Sequence, residues 1–361
     1  MAYTTINKHT DYFQTELWSA QDTSIDTINF APDWVWIKSR TNADGHVLFD
    51  RVRGANKRLT SAGTAAEATT SDELTAFNSD GYTLGTGDNV NRSGHNYVSW
   101  NWRAGTTSGI TTTNSTITPT AYSFNQTAGF SIIKYNGNSG GSGYSAKIPH
   151  GLGVAPKVVI IKNITSTSGG GEHWTVYHKE LSTGHQLYLN LTNTQNDEQN
   201  EFYDTEPDTV NFTVGISDRT NNTNHDYIAY CFAEKTGYSK FGRYNGNGAS
   251  GTNPNVDGTF IYTGFKPKWI LIKHAHSGTA SGEHWNLQDV KRSTYNPSIV
   301  MLSPNQNSAD NSTNNNGIDF LSNGFKIRNN DGRLNNSGAT YIYMAFGQSL
   351  VGSNNVPCTA R

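Results

Sequence analysis

One short apolar segment occurs three times in the chain and limits what the rest can fold into. Its copies run from Phe30 through Pro32 and Trp34 to Lys38, from Val154 through Pro156 and Val158 to Lys162, and from Phe265 through Pro267 and Trp269 to Lys273. Each opens with a proline, which has no N–H and is tolerated at the start of a strand. Four β-branched, aromatic or aliphatic residues follow, and a lysine stops the apolar run. A continuous apolar run of this length, bounded by turn residues, reads as a strand covered on both faces and as the central strand of a repeated unit.

The neighbours of each copy repeat as well. A histidine opens a second strand at His46, His173 and His284, and much further on an Asn-rich turn leads to Tyr97, Tyr227 and Tyr341. The lysines lie 124 and 111 residues apart and the tyrosines 130 and 114. Similar offsets at three landmarks in one order define a unit of about a hundred residues, which is domain size and not solenoid-repeat size.

The chain is 34% hydrophobic and 16% charged over 361 residues, with 36 glycines. That supply suits three small cores closed by polar turns better than one large core. No segment keeps a helical period, and short strands alternate with Gly, Asn and Pro punctuation, which favours antiparallel sandwiches over βαβ units. The expected fold is all-β, three tandem antiparallel β-sandwich repeat domains of jelly-roll or lectin-like kind. They occupy 1–104 (a divergent first copy), 122–236 and 237–349. A Thr/Ser/Gly-rich linker over 105–121 and a tail over 350–361 complete the chain, and residues 1 to about 12 read as a polar arm. Asp80-Gly81 and Asn323-Gly324 are expected to turn hairpins, Asn-Gly turns to end strands near 136–137 and 245–246, and Ala62–Leu74 to hold a helical turn.

Net charge is −2 with no basic stripe, so nucleic-acid binding has no electrostatic footing. No apolar run reaches membrane-spanning length and no signal pattern opens the chain, which predicts a protein made in a cytosol and not inserted in a membrane. Cys231 reads as a buried thiol and Cys358 as part of the tail. Glu172-His173 and Glu283-His284 could serve acid–base chemistry or hold a metal, but adjacent strand residues face opposite sides and the first unit has only Gly45-His46; a strand-entry motif is preferred. Gly246 to Gly251 matches G-x-G-x-x-G, yet a strand and not a helix follows. No catalytic residue, metal ligand or cofactor is therefore assigned, and the chain is read as not an enzyme. The candidate sugar or partner contacts are Trp18, which lies outside the repeated strand positions, and the basic group Arg51, Arg53, Lys57 and Arg58.

The stretches Gly151–Lys157, Tyr230–Glu234, Gly237–Gly242, Tyr244–Asn247, Tyr262–Pro267, Phe320–Arg328, Tyr341–Phe346 and Thr359–Arg361 resemble the repeat-containing tail and tail-fibre structural proteins of tailed bacteriophages, common in marine and cyanobacterial phages. The resemblance spans roughly residues 12–361, is closest in the last two units and carries no catalytic residues. It implies a virion component, a spacer or adhesin contacting other virion proteins and host surface polysaccharide. The alternatives are a capsid decoration protein and a polysaccharide-binding or polysaccharide-degrading protein. Small sandwich cores and the habit of fibres add the expectation of a homotrimer attached through the N-terminus.

Overall fold

The computed structural model describes residues 4–20, 23–139, 145–165, 172–276, 283–349 and 351. The tail beyond 351, with Cys358, lies outside the described residues. The fold is nearly all β, in antiparallel sheets, and the strands among the described residues fall nine to a unit. In the first unit they are β1 (Phe13–Ser19), β2 (Ser24–Ile25), β3 (Trp34–Ser39), β4 (Val47–Asp50), β5 (Lys57–Thr60), β6 (Ala68–Thr69), β7 (Leu74–Phe77), β8 (Tyr82–Leu84) and β9 (Asn96–Trp102). The second has β10 (Ala121–Asn125), β11 (Phe130–Asn136), β12 (Ala146–Pro149), β13 (Val158–Asn163), β14 (Thr175–His178), β15 (His185–Tyr188), β16 (Asn196–Asp197), β17 (Asn211–Val214) and β18 (Asp226–Phe232). The third has β19 (Ser239–Asn245), β20 (Phe260–Tyr262), β21 (Phe265–His276), β22 (Asn286–Asp289), β23 (Val300–Met301), β24 (Asn311–Ser312), β25 (Ile318–Leu321), β26 (Gly324–Ile327) and β27 (Thr340–Ser349).

One strand order recurs. The main sheets run β1-β9-β3-β4-β5-β6 and β11-β18-β13-β14-β15-β16, the second with β10 added beyond β11. The third runs β19-β27-β21-β22 and reaches β23-β24 through the Leu287–Leu302 bridge. The Pro-led segments supply an interior strand each time, between the last strand of the unit (β9, β18, β27) and the strand that follows in sequence (β4, β14, β22). Lys38 lies opposite Val98, Lys162 opposite Ile228 and Lys273 opposite Ile342. The same register corrects one landmark: Ile37 pairs Val47, Ile161 pairs Thr175 and Ile272 pairs Asn286, so His46 corresponds to Trp174 and Trp285, one residue beyond the histidines with which its sequence aligned it.

Because strand side chains alternate, each central strand buries both faces. Val35 and Ile37, Val159 and Ile161, and Ile270 and Ile272 face three separate cores, each lying between a main sheet and a smaller sheet: β2-β8-β7, β12-β17 and β20-β26-β25. Trp34 and Trp36, Val158 and Ile160, and Trp269 and Leu271 face a fourth core shared by all three units. Composition had suggested three small cores only; the fourth forms because each main sheet is apolar on its second face too. At its middle Trp102, Phe232 and Phe346, the matching residues of β9, β18 and β27, form a triangle with ring centroids 6.5, 5.8 and 5.9 Å apart.

Hydrogen bonds close this arrangement head to tail. Glu67 N donates to Ile164 O at 3.2 Å, Gln195 N to Ala275 O at 2.7 Å, and Asp310 N to Arg40 O at 2.9 Å, carrying unit one to two, two to three and three back to one. A second cycle uses indoles: Trp174 Nε1 donates to Thr60 O at 2.9 Å and Trp285 Nε1 to Tyr188 O at 3.1 Å. In the third copy His46 accepts from Trp36 Nε1 on Nδ1 at 2.9 Å, and its ring faces the Ser303 backbone, although Nε2 makes no well-formed hydrogen bond. The lysines that were expected to end the apolar runs are themselves buried at these seams. Lys162 Nζ donates to Thr64 O, Asn163 O and Glu172 O, and Lys273 Nζ to Thr192 O and His274 O, whereas Lys38 stays within its own unit on Ser39 O and Asn42 O. Burial draws Lys162 and Lys273 down to about 7 and Lys38 to about 8.

The tyrosine landmark has a local cause. Tyr97, Tyr227 and Tyr341 each donate a hydroxyl hydrogen to the carbonyl nine residues back (Asp88, Gly332 in the last unit, Asp218 in the second). Each accepts from the N–H five residues back, on Arg92, Asn222 and Asn336. Asn91, Asn221 and Asn335 brace the same turns by donating to the carbonyl six residues back. Tyr227→Phe removes both hydroxyl bonds and leaves a carbonyl and an N–H unsatisfied. It should cost about 2–4 kcal/mol, two bonds at roughly 1–2 kcal/mol each, read as a lower urea midpoint with unchanged slope.

Three expectations change, and the glycine turns form with an added role. The hairpins at Asp80-Gly81 and Asn323-Gly324 form, but the glycines serve close approach: a Cβ on Gly81 would lie 1.5 Å from Ile25 O and one on Gly324 2.1 Å from Ile261 O. β11 and β19 end at Asn136 and Asn245 as expected, and the glycines that follow, Gly137 and Gly246, lie against Asn222 O and Asn336 O. Ala62–Leu74 is not helical, since β6 lies in it. Residues 105–121 are no free spacer: Thr106 bridges Phe124, Thr116 and Ile117 donate to Lys147 O, and Ile117 enters the second unit's core. Nor is the N-terminal segment loose, because Ile6 caps the central core and His9 Nδ1 sits 2.8 Å from Gln348 Oε1. Among the described residues no helix is long and apolar enough to cross a membrane.

Candidate functional site

The sequence-derived contact residues do not converge. Trp18 is buried, its Nε1 donating to Val90 O at 3.2 Å and its ring stacked on Tyr97 at 5.5 Å. Arg53 is also buried, paired with Asp50 and Glu67. Arg51 donates to Pro32 O and Asn78 O and lies 5.0 Å over Phe77. Lys57 meets Thr69 Oγ1 and Glu67, and Arg58 meets Glu73 at 2.7 Å. The basic cluster is thus spent on internal carboxylates and carbonyls that local sequence could not reveal.

At the Glu-His pairs each histidine is engaged by an asparagine. Asn190 Nδ2 donates to His173 Nδ1 at 2.8 Å while its Oδ1 accepts from Trp174 N; Asn305 does the same for His284 and Trp285. Glu172 faces Arg219 at 3.8 Å, and Arg219 also binds Glu198 and Glu201. Among the described residues no group of three or more His, Cys, Asp or Glu side chains is placed to hold a metal ion. Cys231 is a free, buried thiol whose pKa burial pushes up to about 12.

Two buried histidines are fixed as neutral rings. His178 Nδ1 accepts from Glu180 N and its Nε2 donates to Tyr343 O, both at 3.2 Å; His150 Nδ1 accepts from Leu152 N and its Nε2 donates to Asp208 O, both at 3.1 Å. Protonating either ring would break the Nδ1 bond, and burial lowers both to about 4 from 6.5. A histidine depressed on folding contributes stability that is complete above pH 6.5 and lost as pH falls towards 4. Each should contribute roughly 3 kcal/mol to that loss. Urea denaturation at pH 7 and pH 4 checks this, and His178→Gln should flatten the acid limb by about its own share.

The structure shows one exposed arrangement that the sequence reading did not single out. In the third unit the edges of the main sheet (β19) and the small sheet (β20) border an open groove of about 340 Å³. Phe260 and Tyr262 flank buried Ile261 and stand 45% and 54% exposed. Lys240 Nζ lies 5.6 Å from the centroid of the Tyr262 ring, and Arg243 meets Glu180 of the second unit at 3.7 Å. Gly242 lies opposite Tyr343, and a Cβ there would come within 2.8 Å of the Tyr343 hydroxyl. Burial raises the Tyr343 pKa, so the phenol keeps its proton.

The matching positions elsewhere are different. Ile25, Ile148 and Ile261 pair with Tyr82, Phe212 and Phe325, so the counterparts of Phe260 and Tyr262 are Ser24 and Asp26 in the first unit and Lys147 and Pro149 in the second. The Gly242–Tyr343 pair is Glu16–Ser99 in the first unit and Ile133–Ala229 in the second, where β10 also covers the edge. An aromatic pair at alternate positions around Ile261, where the other copies are polar or proline, is the signal that could have found this groove.

No curated protein and no solved structure matches the chain. The sequence model of one family, described as a domain of unknown function (DUF7483), matches residues 8–349, and the chain belongs to that family.

Proposed function

We propose that the chain is a structural protein of a tailed-bacteriophage virion, a tail or tail-fibre component that serves as a rigid spacer and adhesin and performs no catalysis. The observation that carries the reading is the closed ring: three sheets joined around a shared aromatic core, with hydrogen bonds running from each unit to the next and back to the first. A body cross-linked in that way keeps its shape under load and leaves its outer edges for contacts. The ring also alters the expected assembly. The small sandwich cores behind the expected homotrimer are supplemented within one chain by the shared core, so three-fold repetition at a fibre axis needs one copy, and light scattering should give the monomer mass. Other virion proteins remain the proposed partners.

Gold-labelled antibody on purified virions tests the reading. Label on the tail supports it, label over the capsid shell favours a decoration protein instead, and absence from virions overturns it. Incubating the protein with host surface polysaccharide should release no reducing ends; release would overturn the non-catalytic part.

A further inference from the structure

We propose that the groove between β19 and β20 binds a saccharide, with Phe260 and Tyr262 as the stacking platform and the Tyr343 hydroxyl, Arg243 and Glu180 as hydrogen-bonding groups around it. The inference stands on the groove alone and does not depend on where the protein sits in a virion.

Exposure of two large rings on one short strand needs a reason. Alternate residues of a strand share a face about 6.6 Å apart, a spacing at which two rings can underlie one or two sugar rings. Neither is needed for packing, because Ile261 between them already supplies the core contact, and Ser24, Asp26, Lys147 and Pro149 serve at the same places in the other units. Sugars present apolar C–H faces bounded by hydroxyls, so a site for them combines an aromatic surface with a few polar groups that fix orientation. The polar groups here are of both kinds. Arg243 is donor-only and Glu180 acceptor-only, and their ion pair is 62% and 31% exposed, open enough for hydroxyls to join it. The phenol of Tyr343, held protonated by its surroundings, can donate and accept.

The second unit lacks this opening, and in the first Glu16 stands where the third has Gly242. The corresponding edge of the second unit is sealed by β10, with Tyr122 opposite Ile133, and residues 105–121 close over the side of that sandwich. The third unit has no such added strand among the described residues, and Gly242 leaves the space through which the Tyr343 hydroxyl reaches the groove. Lys240 beside Tyr262 is an exposed cation–π contact, weak enough for an arriving sugar face to displace, and it adds a positive charge that favours sugars carrying a carboxylate.

The test is saturation-transfer NMR on the full chain with three soluble probes: a neutral hexose trisaccharide, an N-acetylhexosamine trisaccharide and a hexuronate trisaccharide. At least one, and the hexuronate most strongly, should receive saturation with a Kd of about a millimolar or tighter. Phe260→Ala and Tyr262→Ala, both at exposed positions and checked for unchanged unfolding midpoints, should each weaken it about tenfold, and Glu180→Gln should change the preference among probes. No transfer to any probe overturns the proposal. So does transfer that survives both alanine variants, or a groove that instead supports concentration-dependent self-association lost in Tyr262→Ala.

Discussion

Trp34→Ala should lower the stability of the entire chain by about 3–5 kcal/mol while leaving one unfolding transition. Trp34 belongs by sequence to the first unit, yet its ring lies 4.5 Å from Trp102 and 4.5 Å from Tyr230 of the second unit, and 5.9 Å from both Phe130 and Phe232. The cavity therefore opens in the core that the three units share, and no unit can unfold without exposing it. Urea denaturation followed by tryptophan fluorescence and by far-ultraviolet circular dichroism should give coincident curves. Separate transitions, with the last unit unaffected, would mean that the units are energetically independent. Leu271→Asp in the same core should prevent folding altogether, since an unpaired buried charge costs several kcal/mol against a total margin of about 5–15 kcal/mol.

Asp289→Ala is the second large expected effect. Asp289 accepts from Arg292 Nε at 2.6 Å and from Trp100 Nε1, in the first unit, at 3.1 Å, all three residues being buried. Removing the carboxylate strands an indole N–H and leaves the Arg292 guanidinium with Asp310 as its remaining acid. Breaking one side of a buried pair in this way costs about 3–5 kcal/mol. Asp50 with Arg53 and Tyr230 is the matching device between the first and second units. The third seam does without it: His178 and Leu181 stand where the other units have Asp and Arg, facing Met344, and the junction is held by apolar contact and the His178–Tyr343 hydrogen bond. Replacing Asp289 and Arg292 together by leucine should accordingly recover part of the loss, measured as the urea midpoint of the double variant against Asp289→Ala.

The β class and the three central strands were legible because a strand buried on both faces must read as an unbroken apolar run. The tyrosine landmark was visible as well, although its reason, a hydroxyl bridging two backbone groups of a turn, is not written in residue type. What sequence concealed was closure. The cross-unit bonds end mostly on backbone carbonyls, which every residue carries, and the buried ion pairs look like an exposed basic loop when Arg51, Arg53, Lys57 and Arg58 are read without their partners. Lysine 162 misled in the same way: a charged residue after four apolar ones marks a surface unless carbonyls from two units surround it. The groove was hidden because it depends on what Gly242 and the sheet edges leave open, which is a property of the assembled sandwich.

The N-terminal segment joins the end of the last strand through His9 and Gln348, and Gln348 Nε2 donates back to Asn7 O. The polypeptide thus enters and leaves the ring at one point on its surface. A body with that property can be spliced into a surface loop of another polypeptide without prising the loop apart, because the host's two cut ends stay neighbours. The same geometry permits circular permutation: linking residue 4 to residue 349 and reopening the chain at the 234–238 junction should leave every seam in place.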